Sequence, residues 1–196
     1  MKKKIAVTGG IGSGKSYISN CLKELGYSVF SCDEIYKEVI QSPIYITEVS
    51  KIFPNCVLDG VIDRKKVSEE IFSNADKRAQ LNAISHPLIM QKLCAYMDEC
   101  ASAYVFAEVP LLFEGKFENL FDGILVVYRN MQDRINSLIN RDGISEEEIS
   151  KRINAQFDYD APASVERLKK CGAKLFENNT DKQKTKLRLQ NLISTL

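Results

Sequence analysis

The chain has 196 residues and carries 27 Lys and Arg against 26 Asp and Glu, a formal net charge of +1. With 44% hydrophobic and 27% charged residues it is apolar enough to bury a real core, which excludes a disordered or fibrous chain. The balanced charge argues against a surface that coats nucleic acid or an acidic membrane, because that work needs an excess of Lys and Arg.

Ile5 to Val7 is a short apolar run that ends in a glycine-rich turn and reads as a strand. From Lys15 onward, Ile18, Cys21, Leu22 and Leu25 recur at i, i+3, i+4 and i+7, which predicts an amphipathic helix closed by Gly26. Ser28 to Phe30 reads as a second strand and Glu34 to Ile40 as a helix, so the chain opens as a parallel α/β unit. The long stretch that follows reads as mostly helical, with Ser42-Pro43 starting one helix and Asp59-Gly60 making a turn. Tyr104 to Val109 and Gly123 to Val127 are apolar runs that suit strands covered on both faces. Between Gln132 and Phe157 two charged helical stretches flank Arg141-Asp142-Gly143, and Asp181 to Leu196 places Leu189, Leu192, Ile193 and Leu196 on one helical face. The expected organisation is a core of residues 1–32, 101–131 and 158–196, a helical subdomain at 33–100 and a second insertion at 132–157.

The six cysteines lie at 21, 32, 56, 94, 100 and 171 with no CxxC pair, which predicts free thiols in a reducing compartment. Histidine occurs once, at His86, so a bound metal is expected to be a hard ion held through oxygens. The basic N-terminus is followed by only three apolar residues, and no stretch approaches the roughly 18 needed to span a membrane. A cytoplasmic protein is expected.

Gly9-Gly10-Ile11-Gly12-Ser13-Gly14-Lys15-Ser16 fits GxxxxGK[ST] and sits between a predicted strand and a predicted helix, as a phosphate-binding loop must. Glycines let the backbone curl with its N–H groups turned inward at the positive end of a helix dipole. In such a loop Lys15 reaches the β and γ phosphates and the Ser16 hydroxyl coordinates Mg²⁺. A dinucleotide fingerprint starting at Gly10 is excluded, since position 15 is Lys where glycine is needed. GTPases, motor ATPases and small-molecule kinases all share this loop, and it does not choose among them.

Further residues carry a resemblance. Val7 to Ser16 is followed by Asp33 after the second strand, by Asp59-Gly60 to Arg64, by His86-Pro87, and by Val109-Pro110-Leu111-Leu112-Phe113-Glu114. Arg134, Arg141 and Arg152-Ile153-Asn154-Ala155-Gln156 come next, and then Asn178. In this order and spacing the chain resembles the dephospho-coenzyme A kinases over about residues 5 to 180. It departs from them at Ser31-Cys32-Asp33, where they usually read Asp-Ala-Asp, and at Glu108, where aspartate is common.

The resemblance implies a P-loop nucleoside triphosphate hydrolase-like α/β fold: three α/β/α layers, a parallel sheet of about five strands, a helical acceptor domain and a lid. It implies ATP as phosphoryl donor, Mg²⁺ as cofactor and dephospho-coenzyme A as acceptor, phosphorylated on the ribose 3′-hydroxyl. Gly10, Ile11, Gly12, Ser13, Gly14, Lys15, Ser16, Tyr17 and Asn178 are expected at the nucleotide. Arg64, His86, Leu111 and Glu114 are expected at the acceptor, with Asp33 there as general base and Lys15 and Arg141 as the catalytic cations. His86-Pro87 reads alternatively as a break between two helices, and Asp33 as the N-cap of the helix starting at Glu34. Glu108 is a candidate for ordering the water around Mg²⁺. No nucleic-acid or membrane partner is expected, and the chain is expected to be a monomer or a weak homo-oligomer. The rival enzyme reading is another small-molecule or nucleoside monophosphate kinase. The rival outside enzymes is a nucleotide-switched binding protein, which has no reason to carry an acceptor domain; the NKxD signature of a GTPase is absent.

Overall fold

The computed structural model describes residues 2–72, 74–179 and 181–195. Its elements in chain order are β1 (Lys3–Thr8), α1 (Lys15–Glu24), β2 (Ser28–Ser31), α2 (Cys32–Val39), α3 (Pro43–Ile52), β3 (Val57–Leu58), β4 (Val61–Ile62), α4 (Arg64–Phe72) and α5 (Ala75–Glu99). They continue as β5 (Tyr104–Glu108), β6 (Gly123–Tyr128), α6 (Met131–Asp142), α7 (Glu146–Asn154), α8 (Pro162–Lys170), β7 (Lys174–Glu177) and α9 (Lys182–Ile193). The chain divides into two compact units, one formed by the residues up to Phe30 together with those from Glu99 onward, the other by Ser31–Asp98.

The first unit carries a five-stranded sheet of order β2-β5-β1-β6-β7. β1 runs parallel to both of its neighbours, with Ile5 opposite Phe106 on β5 and Gly123 on β6. A strand flanked and covered in this way has no wet face, which is why Ile5, Ala6 and Val7 are all apolar and all fully buried. On α1, Ile18, Cys21 and Leu22 are buried at the predicted spacing. Just past the end of α1, Gly26 N–H donates to Lys23 O at 3.0 Å and Tyr27 N–H to Leu22 O at 3.1 Å, which satisfies its last carbonyls. The Asp181 carboxylate caps α9 by accepting from Lys184 N at 3.0 Å. Leu189 and Ile193 of α9 enter the core, Leu192 packs against it, and Leu196 lies outside the described residues.

The second unit consists of helices and one small two-stranded sheet. Asp59 and Gly60 both have positive φ, 50° and 76°, the backbone of a two-residue hairpin turn, and they join β3 to β4 as an antiparallel pair. Strands of two residues are too short for alternation to announce them. α3 starts as predicted, with Pro43 in its first turn and the Ser42 hydroxyl accepting from Tyr45 N at 3.3 Å.

Two alternative readings of the sequence do not hold. α5 runs unbroken through Pro87 for 25 residues, because Leu81 and Ser85 before the proline and Ile89, Met90, Leu93 and Met97 after it bury one continuous face. That burial outweighs the single backbone donor proline removes. α2 begins at Cys32 with Ser31 in the cap position, so Asp33 lies inside the first turn and is not the N-cap. All six cysteines are free thiols, and Cys32 is buried. Among the described residues no helix is long and apolar enough to cross a membrane.

Candidate active site

The site grows from the end of β1. Ser13 N–H donates to Gly10 O at 3.2 Å, closing a four-residue turn, and Gly12 stands at its third position with φ 78°. That is the geometry of a type II turn, whose third position calls for glycine. Gly14 then caps α1 with φ 91°, and a Cβ there would run into the Asn178 side-chain amide. The N–H groups of the first helical turn lack intrahelical partners, and no acid occupies that turn. Loop and helix end together form an anion site.

Two side chains of the loop are already engaged. Lys15 Nζ donates to Gly9 O at 2.8 Å and Gly10 O at 3.1 Å, so its ammonium is folded over the loop. Ser16 Oγ donates to Glu108 Oε1 at 2.8 Å, a contact made available by the register that sets Val7 opposite Glu108. Hydroxyl and carboxylate oxygens here are the hard donors that Mg²⁺ prefers.

The 132–157 segment reaches the loop through Arg134 and not through Arg141, the arginine expected as a catalytic cation. Arg134, in the first turn of α6, donates through Nε to Ile11 O at 2.9 Å, and its guanidinium lies where a Cβ on Gly10 would fall. Burial pulls the Arg134 pKa below its ordinary value, with the nearby Asp160 charge working the other way. Arg141 sits in the last turn of α6 and gives both Nε and Nη2 to Asp142, at 2.7 and 2.8 Å. The turn that follows starts at Gly143, the αL cap of α6. Arg152 pairs with Glu148 at 2.6 Å, the surface ion pair that charge spacing on α7 favours.

Beyond α7 the chain crosses the site as a short strap. Gln156 Oε1 accepts from Ile11 N at 2.7 Å, and Phe157 N–H donates to Glu114 Oε1 at 2.8 Å. The Phe157 ring stacks on Phe113 at 4.7 Å, and the Tyr159 and Thr8 hydroxyls are 3.3 Å apart. Burial pushes the Tyr159 pKa up to about 12, so the phenol stays protonated at neutral pH. Glu114 is thus bound to backbone, and the Leu111 side chain next to it is partly exposed. Asn178 donates through Nδ2 to Ser13 O at 3.0 Å and so braces the loop from β7, while Tyr17 packs partly on the core.

In the second unit, Asp33 is exposed in the first turn of α2, directly after β2. Arg64 opens α4 and lines a cavity of about 200 Å³ with Tyr36, Tyr45, Val67 and Ser68. His86 is half-buried on α5, and its neighbour Ser85 donates to Tyr45 OH at 3.3 Å. The contacts of Gln156, Phe157 and Tyr159 had no sequence expectation. Two aromatic residues just past a strongly polar helix were the available signal.

A parallel sheet with β1 between β5 and β6, carrying this loop at its carboxyl edge, defines the P-loop fold of nucleotide-dependent phosphotransferases and hydrolases. A shikimate kinase from Acinetobacter baumannii has the same fold, with a TM-score of 0.54 at 13% identity over 100% of this chain and 95% of that one. The family model for dephospho-CoA kinase matches residues 3–184. A dephospho-CoA kinase of Fusobacterium nucleatum is 36% identical over 90% of each chain, and that of Bacillus licheniformis 33% identical over 97% of this chain and 95% of the other. A crystal structure of a Thermus thermophilus protein superposes with a TM-score of 0.80 at 29% identity, covering 100% of this chain and 98% of that one. The chain belongs to the dephospho-CoA kinase family. It is accordingly a transferase of coenzyme A biosynthesis that phosphorylates dephospho-CoA with ATP.

Proposed function

We propose that the chain transfers the γ phosphate of ATP to the ribose 3′-hydroxyl of dephospho-CoA. The observation that carries this reading is the gathering of Lys15, the Ser16–Glu108 pair and Arg134 on one phosphate-binding loop. Gly10 to Gly14 curl around the phosphates, and the N–H groups of the loop and the α1 N-terminus other than those of Ile11 and Ser13, which are engaged by Gln156 and Gly10, hold them. Lys15 exchanges the Gly9 and Gly10 carbonyls for the β and γ phosphates, and Tyr17 and Asn178 flank the nucleotide. Ser16 would hold Mg²⁺, and Glu108, its hydrogen-bond partner, would order the water around it. When bound, Mg²⁺ neutralises charge on the triphosphate. Asp33 accepts the hydroxyl proton, and Arg64, His86, Leu111 and Glu114 hold the acceptor. Residues 33–100 serve as the acceptor subdomain and 132–157 as the lid, and the enzyme acts in the cytoplasm as a monomer or weak homo-oligomer without nucleic-acid or membrane partners.

The test is to mix the protein with MgATP and a panel of acceptors and follow ADP. Turnover is expected with dephospho-CoA, and ADP with adenylate or shikimate but not dephospho-CoA sinks the reading. Between the lid arginines, Arg134 is assigned the larger share of charge over the transferring phosphoryl group, with Arg141 joining from the closing lid. Arg134→Ala is expected to lower kcat by about 10²- to 10³-fold, as loss of one oriented donor does, and Arg141→Ala by less. A larger loss at Arg141 in steady-state assays reverses that assignment.

A further inference from the structure

Both backbone polar groups of Ile11 are held by side chains from outside the loop. Its carbonyl accepts from Arg134 at the start of α6, and its N–H donates to Gln156 just past α7, at 2.7 Å. Ile11 is the second residue of the Gly10–Ser13 turn, and the turn's own hydrogen bond leaves that N–H unused. Gln156 in turn is fixed by its neighbours. Phe157 N–H is tied to Glu114 and its ring to Phe113, and the Tyr159 hydroxyl lies against Thr8 at the end of β1. A strap anchored at these points presents one carbonyl oxygen to the tip of the loop.

We propose that Gln156 is a positioning residue for ATP: it holds the phosphate loop in its binding turn through the Ile11 N–H without touching the nucleotide. The proposal rests on the reading that this loop binds the triphosphate. Residue type supports it. A glutamine oxygen accepts the N–H while adding no negative charge beside a polyanion, whereas a carboxylate of the same length repels the phosphates. A turn whose third residue is glycine at positive φ also favours proline at its second position. Ile11→Pro therefore suits the local φ, deletes the one donor through which Gln156 acts, and puts its ring where the N–H pointed, so that the Gln156 amide is displaced from the loop.

The experiment is a double-mutant cycle between Gln156→Met and Ile11→Pro, read by KM for each substrate, with amide exchange at Ile11 measured on the wild-type protein and the Gln156→Met variant. Gln156→Met is expected to raise KM for ATP by about fivefold to tenfold, the size of one lost hydrogen bond, with KM for dephospho-CoA within about twofold. Exchange at the Ile11 amide is expected to quicken by about tenfold for the same reason. Ile11→Pro sets its own baseline, and on that background Gln156→Met is expected to change KM for ATP by less than about twofold. A full effect of Gln156→Met in the proline background overturns the proposal, as does unchanged Ile11 exchange or an equal rise in both KM values. Should Ile11→Pro not fold, the exchange rate and the split between the two KM values decide alone. Amide exchange needs no substrate, so failure of the proposed reaction and failure of this inference are told apart.

Discussion

Lys15→Met is expected to lower turnover about 10³-fold, or about 4 kcal/mol of barrier, while leaving the fold intact. Methionine keeps the length and apolar stem of the side chain and removes only the ammonium. In the free protein that ammonium rests on the Gly9 and Gly10 carbonyls at 2.8 and 3.1 Å, neutral acceptors whose loss costs about 1 kcal/mol each. In the reaction it faces the β and γ oxygens, where negative charge spreads as the phosphoryl group departs. The second role is the larger, so kcat falls about 10³-fold while a cost of about 2 kcal/mol lowers the thermal midpoint by only several degrees and leaves the protein folded under assay conditions. Steady-state ADP release beside a thermal melt separates the two, and a loss below tenfold removes Lys15 from the chemistry.

Asp33→Asn is expected to cost about 10²- to 10⁴-fold in kcat, with KM for ATP little changed, because asparagine keeps the shape of aspartate but cannot take up a proton. The alternative is that Asp33 only favours the start of α2 from its first turn. An exposed acid interacting with a helix dipole contributes about 0.3–1 kcal/mol to stability. A change of that size in folding leaves nearly every molecule folded and does not alter kcat a hundredfold. Turnover under saturating MgATP is the deciding measurement, and retention of more than a tenth of it eliminates Asp33 as base.

Much of the core was legible because burial and periodicity agree in it. Ile5 to Val7 are continuously apolar since β1 is covered on both faces, and Ile18, Cys21 and Leu22 mark the inner face of α1. The hairpin at Asp59-Gly60 was legible only as a turn. The helical character of α5 was legible but its continuity was not, since a local rule about proline allows a break that a buried face extending on both sides of Pro87 overrides.

The lid arginines separate the two kinds of information most clearly. Arg134 and Arg141 are seven residues apart on α6, hence on the same helical face and about 10 Å apart along its axis. The sequence favours Arg141, because it begins the turn between the two charged helical stretches. α6 begins three residues after β6, and β6 pairs with β1, so the first turn of α6 meets the phosphate loop and its last turn does not. The chain's own order of residues thus determined the loop with its lysine and serine, which depends on neighbours within a few positions, and the family, which follows from the order and spacing of motifs along nearly the whole chain. Tertiary structure alone decided which arginine and which glutamine hold Ile11. Contacts across more than a hundred residues are set by strand pairing, and no local pattern encodes them.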